Sequence, residues 1–386
     1  MPIPSDVWDS EQRRDLRAMV ADFAEKHILP HQDEWERTGL IPRELHKQAG
    51  DLGLLGLGTP EEKGGSGGDA VDALVVCEEL HHRGVSGGVF ASLFTCGIST
   101  PHIANNGTAE QIEKWVKPVL AGDKISSLAI TEPGGGSDVG HLRTTAVRDG
   151  DHYVVNGAKT FITSAVRADH IVAAVRTGGD GAAGVSLLVI EKGTPGFQVD
   201  RRLEKMGWLA SDTGELSFVD CRVPAENLIG PENSGFAQIA QAFVAERAAL
   251  AVQAYAQAQR SLDLTLDWVR NRETFGRPLI KRQSVQDTVT EMARRIDVAR
   301  TYTRSVVERH IGRGDPMLAE ICFAKNTAVE TAEWVVDKGV QLHGGMGYMR
   351  ESEIERQYRD IRILGIGGGA TEILTGLAAK VLGYQS

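Results

Sequence analysis

Residues 234–270 contain no proline, and their single glycine, Gly235, stands at the start of an alanine-rich run. The composition predicts one long helix. Met292, Ile296, Ala299, Tyr302 and Val306 continue a three- and four-residue apolar spacing in the next segment. Two long helices at the C-terminal end suit a bundle and contacts between subunits. Residues 7–121 read instead as short helices with glycine-rich joints. Asp6 or Ser5 is positioned to cap the first, which carries Trp8, Leu16, Val20, Phe23 and Ile28. Asp69 is positioned to cap another, with Val71, Leu74, Val75 and Leu80 on its buried side. Between these regions, residues 126–231 hold short β-rich runs around Tyr153, His170 to Val175, Val185 to Ile190 and Glu215 to Val219. Asp149-Gly150 and Asn156-Gly157 read as turns among them. The expected fold is α+β and multidomain: an N-terminal helical domain (1–122), a barrel- or sandwich-like middle β domain (123–232) and a C-terminal helical bundle (233–386).

At 386 residues the chain is long enough for two or three domains with a sizeable core. Its 41% hydrophobic and 24% charged content is ordinary for a soluble enzyme, and a net charge of −10 argues against nucleic acid and anionic membranes as partners. Cys77, Cys96, Cys221 and Cys322 are scattered without metal-ligand spacing and read as small buried apolar residues, so no metal site is expected. Unpaired thiols suit a reduced, cytoplasmic setting. The first residues mix Asp, Glu and Arg and do not read as a targeting signal, and no stretch approaches a membrane span.

Three glycine-rich segments carry the chemistry. Gly65-Ser66-Gly67-Gly68-Asp69-Ala70 formally matches a dinucleotide fingerprint, but Pro60-Glu61-Glu62-Lys63 precedes it where a buried strand is required. It reads as a surface loop entering a helix. The loop Ile130-Thr131-Glu132-Pro133-Gly134-Gly135-Gly136-Ser137-Asp138 is followed by no helical pattern, so it is not a phosphate loop. Its glycines let backbone lie close to a ligand and free amide donors to meet it. Gly365-Ile366-Gly367-Gly368-Gly369-Ala370-Thr371 opens an apparent helix, either as an anion-receiving terminus or as a flexible joint.

Taken with Val155-Asn156-Gly157-Ala158-Lys159-Thr160-Phe161-Ile162-Thr163, Gln341-Leu342-His343-Gly344-Gly345-Met346-Gly347-Tyr348, Arg359-Asp360 and Arg272-Glu273-Thr274-Phe275-Gly276, these segments resemble the acyl-CoA dehydrogenase flavoprotein family in order and spacing over essentially the whole chain. The resemblance implies FAD held between the β domain and the C-terminal helices, in a homotetramer serving fatty acid or branched-chain amino acid catabolism. It places Ile130, Thr131, Gly136 and Ser137 near the flavin or its ribityl chain, with Ser137 also approaching substrate. Phe161 and Thr163 match the segment beside the ring. Stacking suits Phe161; β-domain core is the alternative. Arg272, Phe275, Gln283, Gln341 and Gly345 match positions that reach the FAD of a neighbouring subunit. For Arg272 the alternative is an exposed ion pair.

Two departures stand out. Ala370 occupies a position where relatives carry Thr, leaving Thr371 or Glu372 to supply the cofactor contact. Gly368 stands where many relatives carry the catalytic Glu. The expected reaction removes a C2 proton as a hydride leaves C3, which calls for a carboxylate made more basic by burial. Glu246 fits: Ala242, Phe243, Ala249 and Leu250 make its helix face apolar. An ion pair to a distant Arg across a subunit contact is the bland alternative. The pair Glu246-Arg247 with a glycine at 368 resembles the isovaleryl-CoA and long-chain branches, whose base lies on this helix. Arg247 then contacts CoA or anchors the helix, and Gly368 leaves room for substrate. The expected activity is FAD-dependent conversion of an acyl-CoA to a trans-2-enoyl-CoA, with an electron-transferring flavoprotein as acceptor. A flavin oxidase or monooxygenase on the same scaffold, or a non-catalytic acyl-CoA-binding subunit, are the alternatives. Phe90, Leu93, Phe94 and Ile98, read as one helix over 89–100, either bound the acyl tail or simply pack.

Overall fold

Ser10, rather than Asp6, caps the first long helix: its side chain accepts from the Arg13 amide. The structure, a computed structural model, describes residues 6–313 and 317–384; Ser5, the other candidate cap, lies outside them. The N-terminal helices are α1 (Asp6–Asp9), α2 (Glu11–Phe23), α3 (Gln32–Thr38), α4 (Arg43–Asp51), α5 (Ala70–His82), α6 (Gly87–Leu93), α7 (Cys96–Asn106), α8 (Ala109–Gln111) and α9 (Lys117–Leu120). Asp69 caps α5 in a reciprocal box with Asp72, and Val71, Leu74, Val75 and Leu80 are buried as expected. Residues 89–100 are not one helix. The chain turns at Phe94 and Thr95, where the Thr95 hydroxyl donates to Ala91 O at 2.6 Å and meets Ser164 Oγ of the β domain at 2.7 Å.

The middle region is a seven-stranded sheet: β1 (Ser126–Ala129), β2 (Thr145–Asp149), β3 (His152–Thr163), β4 (His170–Arg176), β5 (Val185–Glu191), β6 (Phe197–Arg202) and β7 (Thr213–Pro224). Strand order is β1-β4-β2-β3-β7-β6, with β5 antiparallel to β4. Asp149-Gly150 makes the β2–β3 turn, with Gly150 at φ +61°. Asn156-Gly157 does not turn the chain. It lies inside β3 at a register shift against β7, where Gly157 has φ +148° and a Cβ would meet Thr144 at 2.6 Å. A dipeptide that tolerates unusual φ serves a bulge as well as a turn. Strands β1, β2 and β6 were not among the expected runs.

The C-terminal region holds α10 (Gly235–Asn271), α11 (Gln283–Arg313), α12 (Leu318–His343), α13 (Glu353–Ile361) and α14 (Thr371–Val381). The long helix thus extends over 37 residues. Small buried side chains on α10, Ala251, Ala254 and Ala258, share a core with Met292, Ile296 and Ala299 of α11 and with Ala324, Ala328 and Ala332 of α12. Alanine at these positions allows close helix approach. Asp360, on α13 and almost wholly buried, joins the three regions: its two oxygens accept from the Trp208 amide at 2.7 Å and the Gly87 amide at 3.0 Å.

Candidate active site

The first wall is the loop 130–138, which links β1 to β2. Its anchor is Glu132, buried and paired with fully buried Lys159 of β3 at 2.8 Å. Glu132 also accepts from the Arg143 and Thr144 amides, and Lys159 Nζ donates to Ile130 O at 3.0 Å. The Thr160 amide donates to Thr131 O at 2.9 Å. The loop is therefore tied to β3 by side chain and backbone, while its tip stays open. Gly134 and Gly135 face free space, and a Cβ at Gly136 would meet Thr131 Cγ2 at 3.0 Å. Ile130 and Thr131 are half-buried, and Gly136 and Ser137 are exposed.

Strict alternation along β3 would put Lys159 and Phe161 on one face. A register shift between Lys159 and Ile162 breaks it. Phe161 is consequently 68% exposed at φ +60°, with Thr163 half-buried beyond it. The core alternative for Phe161 is excluded. A bulky residue in left-handed backbone costs roughly 1–3 kcal/mol, and here that strain presents a ring to solvent. An open glycine loop beside an outward-facing aromatic suits a flat ligand with a polar edge, so these residues fit FAD.

The second wall lies on α10. Ile130 and Phe243, one turn before Glu246, pack against the same buried cluster, which links the loop to the helix. Glu246 is half-buried on the face of α10 that turns toward the loop between α13 and α14. Desolvation pushes its carboxyl up to about 7, with the charges of Arg247 and Lys325 opposing the rise. Opposite it runs the loop between α13 and α14. Gly368 and Gly369 are left-handed at φ +63° and +101°. A Cβ on Gly368 would stand 3.5 Å from Glu246 Oε1 and 2.2 Å from Leu250 Cδ1. Position 368 and Glu246 thus face the same space. Arg247 is buried; its Nε donates to Gly368 O at 3.4 Å, and its guanidinium lies 5.6 Å from the Phe243 ring centre. Arg247 anchors the helix to the loop.

Ala370 stands at the N-cap of α14 and supplies no side-chain cap. Thr371 is half-buried, with its carbonyl accepting from Asn326 Nδ2 at 3.1 Å, and Glu372 is exposed. Phe90 and Phe94 are half-buried, with ring centres 4.9 Å apart and planes tilted by 31°, whereas Leu93 is buried.

The remaining predicted residues gather elsewhere. Arg272 lies 5.9 Å from the Trp268 ring, which stacks on His343 at 5.2 Å, so Arg272 shares a surface with Gln341 and Gly345 at the end of α12. Phe275 is 97% exposed at φ +51°. Gln283 donates to Asp287 at 2.8 Å. Arg272, the residue that ends α10, stands 26 positions beyond Glu246, a separation of about 39 Å. The two groups of predicted residues therefore lie far apart along the fold.

Four residues of this region were not read as site residues from the sequence: Glu132, Lys159, Leu250 and Lys325. Lys325 is fully buried on α12, with Nζ donating to Gly369 O at 2.9 Å. Its one sequence signal is a lysine in the apolar run Ile321-Cys322-Phe323-Ala324. Among the described residues no group of His, Cys, Asp and Glu is arranged to hold a metal ion, and no helix is long and apolar enough to cross a membrane.

Three family models match along the chain: acyl-CoA dehydrogenase N-terminal domain over residues 10–123, middle domain over 127–221 and C-terminal domain over 233–383. The long-chain specific acyl-CoA dehydrogenase of mouse mitochondria is 38% identical over 369 residues, covering 95% of this chain and 85% of the mouse protein. A structure from Mycobacterium smegmatis, provisionally described as an acyl-CoA dehydrogenase, superposes with a TM-score of 0.98 at 66% identity, covering 98% of this chain and all of that one. The acyl-CoA dehydrogenase of Bacillus anthracis, solved with FAD, superposes with a TM-score of 0.88 at 29% identity, covering 99% of this chain and 68% of that one.

Proposed function

The chain belongs to the acyl-CoA dehydrogenase family, and we propose on that premise that Glu246 is the base that takes the C2 proton of its substrate. The protein is a flavoenzyme that dehydrogenates acyl-CoA thioesters with FAD as cofactor. The observation that carries the assignment of Glu246 is its setting: a desolvated carboxylate with a proton affinity near neutrality, facing a glycine-lined space. A base poised near the working pH is both ionised often enough and basic enough to remove a weakly acidic proton. Buried carboxylates of this kind are costly in a protein that only binds, which disfavours the non-catalytic reading.

Bound flavin supplies the acceptor for the hydride leaving C3. Ile130, Thr131, Gly136, Ser137, Phe161 and Thr163 hold the flavin end, with Glu132 and Lys159 keeping the loop in place. Thr371 and Glu372 lie at the start of α14, where exposed amides suit a pyrophosphate. Gly368 leaves the thioester room beside Glu246, and Arg247 fixes the loop's distance. Ser137 lies on the open tip of its loop, within reach of either cofactor or substrate.

Arg272, Phe275, Gln283, Gln341 and Gly345 are assigned to the cofactor of a neighbouring subunit. The distance of about 39 Å along α10 supports this, because one chain's flavin site cannot readily draw on both ends of the helix. Membership of the family supports a homotetramer with an electron-transferring flavoprotein as acceptor and a trans-2-enoyl-CoA as product.

The test is Glu246→Gln, assayed with a dye acceptor on a short-to-long panel of acyl-CoA thioesters. Turnover is expected to fall roughly 10²–10⁴-fold with flavin still bound. In the wild type only the ionised carboxylate can accept the proton, so kcat rises as pH passes up through about 7 and falls below it. Dehydrogenation unchanged in the variant refutes the assignment of the base. Rapid reoxidation of the reduced enzyme by dioxygen, without an acceptor protein, marks the oxidase alternative.

A further inference from the structure

Lys325 is a charge the mechanism so far leaves unused. It sits in the middle of the C-terminal core, with no exposed surface. Among the described residues it forms no ion pair within 4.0 Å, and its Nζ donates to a neutral acceptor, Gly369 O. A buried ammonium is expensive to hold without a compensating charge. Burial and the like charge of Arg247 push its proton affinity down to about 8.

The groups facing Lys325 are few. On α12 itself they are Cys322, which is buried, and Glu333, which pairs with Arg362 at 2.7 Å. On α10 they are Arg247 and Glu246. Arg247 donates to Gly368 O and Lys325 to Gly369 O, so two cations grip consecutive carbonyls of left-handed glycines. The outer side of that loop, at the Cβ position of Gly368, is 3.5 Å from Glu246 Oε1. Of the two described carboxylates whose charge bears most on Lys325, Glu333 is engaged by Arg362, which leaves Glu246.

We propose that Lys325 is a positioning residue for the dehydrogenation: its ammonium pins loop 367–369 opposite Glu246 and favours the ionised form of that base. This rests on the assignment of Glu246 as base. In this arrangement Lys325 moves no proton itself. It supplies the opposite charge that lets a desolvated carboxylate stay ionised near neutral pH, and it fixes the backbone that the carboxylate faces.

The experiment measures the pH dependence of kcat for flavin-loaded Lys325→Met, Lys325→Gln and Lys325→Arg, with Glu246→Gln alongside. The substrate is the saturated acyl-CoA that the wild type turns over fastest. Removing a cation beside a carboxylate raises its proton affinity. The acid limb is therefore expected to move up by about one pH unit in both neutral variants, and kcat at pH 7 to fall about fivefold, with activity returning at higher pH. Lys325→Arg is expected to keep the limb in place. A merely structural lysine would lower kcat at every pH without moving the limb, and that result, with flavin retained, overturns the proposal. If neither neutral variant folds, Lys325→His decides: its imidazole loses its charge above about pH 6.5, so the limb is expected to move up, and an unmoved limb in the folded, flavin-loaded variant overturns the proposal. Unchanged turnover in Glu246→Gln overturns the base assignment itself. An inactive Glu246→Gln with unmoved limbs in the lysine variants overturns the Lys325 role alone.

Discussion

Because position 368 and Glu246 face one space, the base should be movable between them. Glu246→Ala removes it, at a cost of roughly 10²–10⁴ in turnover, equivalent to about 3–5 kcal/mol of barrier. Gly368→Glu grows a carboxylate from a Cβ only 3.5 Å from where Oε1 had been. Two obstacles come from the structure. The residue is left-handed at φ +63°, which costs a non-glycine residue roughly 1–3 kcal/mol. The new Cβ would also lie 2.2 Å from Leu250 Cδ1, an overlap that has to be relieved. Leu250→Ala relieves it, and since Leu250 is only half-buried its loss costs less than the ~2–5 kcal/mol of a fully buried leucine. A stability of about 5–15 kcal/mol accommodates this sum. The triple variant Glu246→Ala/Leu250→Ala/Gly368→Glu is compared with the double variant lacking the new carboxylate. Both are checked for flavin absorbance and melting temperature, then assayed with a dye acceptor. At least a tenfold recovery is expected, or about 1.4 kcal/mol. A folded, flavin-loaded triple variant no faster than its double refutes the claim that the two positions serve the same C2–H bond.

Two further substitutions probe the cofactor wall. Phe161→Gly is expected to stabilise the flavin-free protein by about 1 kcal/mol as the strain at φ +60° is released. The same change is expected to weaken flavin binding about fivefold through lost stacking; unaltered affinity in a fluorescence titration would move Phe161 away from the ring. Lys159→Met strands the Glu132 charge in the protein, with an expected loss of roughly 3–5 kcal/mol in denaturant unfolding. Restoring neutrality with Glu132→Gln should recover part of that stability. If Lys159→Met leaves unfolding unchanged, the buried pair does not hold the loop.

The long elements were legible because their causes are local. A proline-free alanine run becomes α10, and Asp69 before an apolar periodicity becomes a capped α5. The apolar setting of Glu246 was legible for a related reason, since a helix sets its own neighbours at three and four residues. What stayed hidden depends on events across the chain. Phe161 points outward because a register shift against β7 breaks the alternation of β3. Asn156-Gly157 satisfies the chemistry of a turn but is used where Thr144 crowds β3. The break at Phe94 and Thr95 falls two residues before Gly97, which reads as ordinary helix, and a hydroxyl shared with Ser164 marks it instead. Lys325 follows an apolar run, but its partner Gly369 O appears only once α12 is docked against loop 367–369. The domain limits expected at 122 and 232 fall in segments between α9 and β1 and between β7 and α10.

Asp360 has a consequence for how the molecule comes apart. One carboxylate receives amides from the start of α6 and from the chain between β6 and β7, while its own backbone belongs to α13. Detaching either neighbouring layer alone would leave that side chain half-solvated inside a dry joint, with an amide orphaned on the departing piece. The cheaper route is for the three layers to separate together. Heating the enzyme should accordingly give one cooperative transition rather than a staircase. A protease should find no long-lived intermediate in which the sheet has let go and the helices have not.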